Sequence, residues 1–112
     1  MPLQQAMLLR YHIKMDSRTA IDILRAHEGE LQRRGVRHAA LFGSVARDDT
    51  HPGSDVDIVI DLDEDMGLDV YGYVGLCRFI DDLFPVAVDV ANRRTLKERV
   101  RARVERDAIP AF

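Results

Sequence analysis

The sequence is short of several things, and each shortage excludes a class of protein. Cys77 is its single cysteine, so no intrachain disulfide forms, and the chain fits a reducing, cytoplasmic compartment. That thiol reads as a small apolar residue on a helix. No apolar run approaches the ~20 residues of a membrane span. Residues Met1 to Met15 carry Arg10 and Lys14 but neither a sustained apolar core nor a small-residue cleavage site, which argues against a signal peptide. An excess of positive charge is missing as well. Sixteen Lys and Arg face nineteen Asp and Glu, for a net charge of −3, so direct nucleic-acid binding through bulk electrostatics is not expected. Internal repeats and low-complexity segments are absent. The four histidines, His12, His27, His38 and His51, are not spaced as a ligand cluster.

What remains is an ordinary globular balance, 46% hydrophobic and 31% charged over 112 residues, enough for one domain with one core. Residues 1–14 show no strong periodicity and are expected to form an N-terminal extension. The single domain then covers 15–112, with Met15 a candidate start. Charge is unevenly spread. Asp55, Asp57, Asp61, Asp63, Glu64 and Asp65 crowd the middle, while Arg93, Arg94, Lys97, Arg99, Arg101, Arg103 and Arg106 crowd the end.

Ser17 or Asp16 suits an N-cap and Gly35 a helix stop. Between them Ala20, Ile23, Leu24, His27 and Leu31 recur at helical spacing, predicting a helix over 17–34 that Gly29 weakens locally. Arg37 to Phe42 is a short β-like run. Val45 to Ser54, with Asp48-Asp49, Pro52 and Gly53, reads as a short helix or turn and then a loop. Asp55 to Asp61, DVDIVID, alternates strictly. Val56, Ile58 and Ile60 fall on one face, and Asp55, Asp57, Val59 and Asp61 on the other. Residues two apart in a strand point the same way, so Asp55 and Asp57 are expected side by side. A helix over 68–83 follows, with Val70, Tyr73, Val74, Cys77, Ile80 and Phe84 as a broad apolar surface. Val86 to Ala91 reads as a strand with Asp89 on its polar face. A last helix starts near Thr95, with Leu96, Val100 and Val104 as its buried stripe, and ends before Pro110. The order α-β-α-β-α-β-α describes one α/β or α+β sheet with helices packed on it.

Adjacent parallel carboxylates repel, and crowding them is costly unless a cation compensates. Mg²⁺ suits the task, since it takes oxygen ligands from one or two carboxylates plus substrate phosphates. Asp89, on a neighbouring strand, is placed to supply a third carboxylate. The plain alternative is that all three are solvent-facing strand residues. Gly43-Ser44 comes where a strand ends and the chain must turn. Glycine allows a positive φ or a close approach, and serine offers its N–H and hydroxyl to a phosphate oxygen. A helix beginning there would add anion affinity. Alone, the dipeptide is only a turn.

Together, Gly43-Ser44, ten intervening residues and Asp55-x-Asp57 resemble the signature of the polymerase-β-like nucleotidyltransferase superfamily. The segment LFGSVARDDTHPGSDVDIVID is similar to the minimal nucleotidyltransferase family, through Gly43, Ser44, Ala46, Arg47, Ser54, Asp55 and Asp57. The resemblance continues through Val-Asp-Val at 88–90 to a charged closing helix, over about residues 17–109. It departs at Asp48, where a glycine often stands, and at Asn92, where a small hydroxyl residue is frequent.

The resemblance implies the family's fold, a small mixed sheet flanked by helices. It implies that Asp55, Asp57 and Asp89 are catalytic and ligate two Mg²⁺ ions, and that Gly43 and Ser44 hold the β- and γ-phosphates of ATP. Arg47 and Ser54 would belong to the nucleotide-binding segment. Arg47 is read as a structural ion pair near the site or a phosphate contact, and Ser54 as a turn cap or a hydrogen bond to an aspartate. A chain this short is expected to hold the catalytic sheet and little else, so the acceptor comes from another molecule. The resemblance suggests a HEPN-domain ribonuclease toxin as partner, AMP transfer from ATP to its tyrosine hydroxyl, and an antitoxin role. A small-molecule nucleotidyltransferase and a non-catalytic binding module are the alternatives. The basic closing helix and the 68–83 helix are candidate contact surfaces, the former equally a solvated face offsetting the acidic centre.

Overall fold

The computed structural model describes residues 14–112; all but the last residue of the expected 1–14 extension lies outside the described residues. The first helical stretch is two helices, α1 (Ser17–Ala26) and α2 (Glu28–Arg33). Asp16 caps α1, its carboxylate accepting the Thr19 N–H at 2.7 Å, as short polar N-caps do. The break falls at His27 rather than at Gly29. His27 leaves helical geometry with φ −112° and ψ 16°, and its ring Nδ1 lies 2.9 Å from the Ile23 carbonyl oxygen, occupying an acceptor that the end of α1 leaves free.

Strand β1 (Val36–Phe42) runs into a one-turn helix, α3 (Gly43–Ala46). After a loop comes β2 (Val56–Leu62), then α4 (Val70–Asp82), β3 (Val88–Asn92), α5 (Glu98–Asp107) and the two-residue β4 (Ile109–Pro110). The sheet order is β3-β2-β1-β4, with β3 parallel to β2 and the other pairs antiparallel. The parallel pair requires a crossover, which α4 supplies. The expected small mixed sheet flanked by helices is what the chain forms. β4 adds a short edge strand that Pro110 disguises in the sequence, since proline fits a sheet only at its edge.

Both faces of the sheet are covered. On one, Val56, Ile58 and Ile60 join Leu24, Leu31, Leu76 and Ile80 in the main core. On the other, Val59 is fully buried with Ala40 and Val104, and Val100 and Leu96 pack alongside. Val59 therefore shares the aspartate face and is still core, because α5 lies over it. The crossover helix α4 buries only part of its expected apolar surface. Leu76 and Ile80 are buried, whereas Val70, Tyr71 and Val74 are exposed.

The acidic centre and basic end meet around the ends of β2 and β3. Arg93 Nε donates to Asp61 Oδ1 at 2.9 Å, and Arg94 pairs with Glu64. The Arg101 guanidinium donates to the Arg94 carbonyl at 3.2 Å and to those of Arg93 and Leu96 at 3.4 Å. Much of the uneven charge is thus internal pairing.

Candidate active site

Asp57 and Asp89 are direct partners across the parallel β2–β3 pair. Register partners present their side chains on the same face of a sheet, so the two carboxylates stand side by side. Asp55 is displaced from its expected place. β2 begins one residue later, where the Val56 N–H donates to the Ala87 carbonyl at 2.9 Å, so Asp55 is an exposed residue at the mouth of the strand. Its charge still bears on Asp57. The Asp57 carboxyl, half-buried, is pushed up to about 6, first by burial, then by the charge of Asp89 and that of Asp55, with Arg47 pulling the other way. Asp61 differs: four residues along the same strand from Asp57, it is paired with Arg93.

On its other side Asp57 pairs in register with Phe42, so Gly43 follows directly against it. Gly43 has φ +70°, and a Cβ added there would overlap the Asp57 carboxylate, lying 3.1 Å from its Cγ. Glycine serves twice here. It takes the left-handed conformation without strain, and it leaves room for the carboxylate. Gly43, Ser44, Arg47 and Asp57 then line one cavity of about 370 Å³ under α5.

The donor set is all oxygen, crowded and short of positive charge, as a hard divalent cation requires. Among the described residues, no three carboxylate, histidine or cysteine groups converge closely enough to hold a metal as they stand. Asp57 and Asp89 form a pair facing the Gly-Ser turn, and Asp55 stands outside it.

The flanking motif residues have separate tasks. The Arg47 guanidinium lies 3.8 Å from the Asp107 carboxylate on α5, an ion pair outside the aspartate motif. Ser54 closes a turn, with its Oγ accepting the His51 N–H at 3.1 Å and its own N–H donating to the His51 carbonyl at 3.0 Å. Asp48, standing where a glycine is frequent, does adopt a left-handed φ of +53°. Its carboxylate accepts the Ser17 N–H and hydroxyl, both at 3.0 Å, clasping the start of α1. Replacing Asp48 by Ala is expected to cost about 1–2 kcal/mol, since the clasp on Ser17 is lost. Asp48→Gly is expected to cost about 1 kcal/mol less than Asp48→Ala, because it removes the Cβ from a left-handed site. Urea unfolding of both variants checks the order.

Sequence reasoning missed two sets of neighbours. Tyr73, on α4, lies near Asp89, and its hydroxyl is pushed up to about 12, chiefly by burial and then by Cys77 and Asp89. Burial likewise pushes the Cys77 thiol up, so it stays protonated, as befits its apolar reading. From α5, Val100, Arg103, Val104 and Asp107 line the cavity over the Gly-Ser turn. Their spacing of three, four and seven residues marks one helix face, a signal present in the sequence and read only as far as the two valines.

Known proteins share the fold and much of the sequence. Residues 24–110 match the nucleotidyltransferase domain family. Protein adenylyltransferase MntA of Thermococcus cleftensis is 34% identical over 88 residues, covering 78% of this chain and 87% of the relative. A Methanocaldococcus jannaschii protein provisionally assigned as a protein adenylyltransferase, MJ0126, is 33% identical over 79% of this chain and 90% of its own length. A solved structure provisionally assigned as a minimal nucleotidyltransferase superposes with a TM-score of 0.72 at 32% identity, covering 86% of this chain and 96% of that one. A chain from a toxin–antitoxin crystal structure with AMP-PNP shares the fold at a TM-score of 0.63 and 20% identity, covering 79% and 72%. With the family matched over most of its length, the chain belongs to the nucleotidyltransferase domain family, as one of its minimal members.

Proposed function

We propose that this protein transfers AMP from ATP to a hydroxyl group of a partner protein, and that the partner is a HEPN-domain toxin modified on tyrosine and thereby neutralised. The observation that carries the reading is the register pair Asp57–Asp89, set against the Gly43 turn. The relative named protein adenylyltransferase supports the reaction class, and the toxin–antitoxin structure with AMP-PNP, alike in fold, supports the partner class and the nucleotide.

In this reading Gly43 and Ser44 bind the outer phosphates of ATP through the turn. Asp57, Asp89 and Asp55 would hold two Mg²⁺ ions, whose charge would offset the repulsion among the three carboxylates. Such ions stabilise the charge on the entering and leaving oxygens of an in-line displacement. The acceptor hydroxyl oxygen forms a bond to the α-phosphorus while the bond to the β-phosphate bridging oxygen breaks. Pyrophosphate leaves, and the hydroxyl proton is released to water. The same reading takes residues 1–14 as an extension to a single nucleotidyltransferase domain over 15–112, in a cytoplasmic protein.

Incubating the protein with α-labelled ATP, Mg²⁺ and the protein encoded beside it tests the proposal. Label is expected on a tyrosine of that neighbour, and none with Asp57→Asn. Label on a small alcohol instead would point to a small-molecule transferase. Neutralisation of the neighbour that survives Asp57→Asn unchanged, with no label anywhere, would sink the enzymatic reading in favour of binding alone.

A further inference from the structure

The closing helix brings an unpaired cation to the Gly-Ser turn. Of the two guanidinium groups lining the cavity over Gly43 and Ser44, Arg47 is engaged by Asp107, 3.8 Å away. Arg103 is exposed and has no ion pair or hydrogen bond among the described residues. Its place is set by packing. Val104 is buried with Ala40 and Val59, and Val100 packs beside them, which seats that face of α5 on the sheet. Arg103, adjoining Val104 and one turn beyond Val100, is therefore held at the edge of the helix footprint, along the cavity rim.

The cavity also contains Asp57 and Asp107, so an incoming polyphosphate meets two carboxylates there. Arg47 already shares its charge with Asp107. Arg103 is left as the uncommitted donor, with a planar guanidinium suited to two phosphate oxygens at once. We infer that Arg103 is a nucleotide-binding residue, contacting the outer phosphates of the triphosphate opposite Gly43-Ser44, and that Asp107 positions Arg47 beside it. This rests on the nucleotide reading above and adds α5 to the site, so that a helix expected as a partner-contact surface or a solvated face also helps select triphosphate over monophosphate.

Titration calorimetry with ATP and with AMP, in Mg²⁺ buffer, tests the assignment on Arg103→Gln, Arg103→Lys and Arg99→Gln. Arg99 is on the same helix, exposed and outside the cavity lining, so its variant removes the same charge without the contact. Arg103→Gln is expected to weaken ATP binding about tenfold, the worth of a charge-assisted contact, while AMP affinity stays within about twofold. Arg103→Lys recovers part of the loss, and Arg99→Gln binds ATP as the wild type does. An exposed, unpaired side chain leaves the fold intact, so the variants should melt together. Wild-type protein that binds ATP, with Arg103→Gln binding it equally well, overturns the role of Arg103 alone. Wild-type protein that binds no ATP overturns the nucleotide reading and this assignment with it.

Discussion

Replacing Asp57 by Asn is expected to abolish nucleotidyl transfer and, in metal-free buffer, to make the protein more stable. The first effect follows from the loss of the carboxylate between Asp89 and Gly43 that the proposed function assigns to the metal ions, and a loss of at least about a hundredfold in rate is expected. The second follows from charge. In the folded protein the Asp57 carboxyl titrates at about 6 against an ordinary 3.8, because burial, Asp89 and Asp55 all disfavour its ionised form. The folded state therefore holds this proton more tightly than the unfolded chain does. For this group, stability is highest below pH 3.8, falls as pH rises through the window from 3.8 to about 6, and stays reduced above it. A raised carboxyl works in this direction, opposite to one lowered by a salt bridge.

The full shift is equivalent to roughly 3 kcal/mol, and solvent screening at a half-buried site reduces it to about 1–2 kcal/mol. Asparagine, which does not ionise, regains that amount at pH 8, or about 5–10 °C in melting temperature for a domain of this size. Mg²⁺ is expected to narrow the gap by stabilising the wild type and leaving Asp57→Asn unmoved. Thermal melts with EDTA and with Mg²⁺, at pH 4 and pH 8, check all four values. A variant that is less stable than the wild type at pH 8 without metal would make Asp57 a structural residue.

Replacing Gly43 by Ala is expected to abolish transfer too, but with the opposite effect on stability. A φ of +70° costs an alanine about 1–2 kcal/mol, and its Cβ would occupy the space of the Asp57 carboxylate. Asp57 must then turn away from Asp89, and displacements near 1 Å in a catalytic group cost about a hundredfold in rate. The two contributions separate in a double-mutant cycle. In an Asp57→Ala background the overlap is gone, so Gly43→Ala is expected to cost only its backbone share of about 1–2 kcal/mol. Equal costs in both backgrounds would show that the carboxylate does not lie against Gly43.

The spacing of Gly43-Ser44 and Asp55-x-Asp57 and the alternation of DVDIVID were enough to place a turn against an acidic strand, because side-chain period two is dictated by the strand backbone. The parallel partner strand was legible from Val86 to Ala91, so Asp89 was found in sequence. What was not legible depends on which element covers which. Val59 is on the aspartate face and reads as half-exposed until α5 is laid over it. Val70 and Val74 read as core, yet the sheet covers only a narrower stripe of α4 that includes Leu76 and Ile80. Asp55 reads as part of the strand by alternation, yet pairing with β3 starts only at Val56. Arg103 and Asp107 share a helix face with Val100 and Val104 by spacing, but only the packing of α5 over the sheet brings that face to the site.

On the proposed function, metal and nucleotide meet at the Gly43 turn beside Asp57 and Asp89, and not at the acidic run Asp61 to Asp65, which carries more carboxylates. Paramagnetic broadening of backbone amide resonances by Mn²⁺, with a non-hydrolysable ATP analogue, tests it most directly. Selective loss of the Gly43, Ser44, Asp57 and Asp89 signals, reversed by excess Mg²⁺, is the predicted result. Broadening centred on Asp63, Glu64 and Asp65, with the Gly43 and Asp57 signals unaffected, would contradict it.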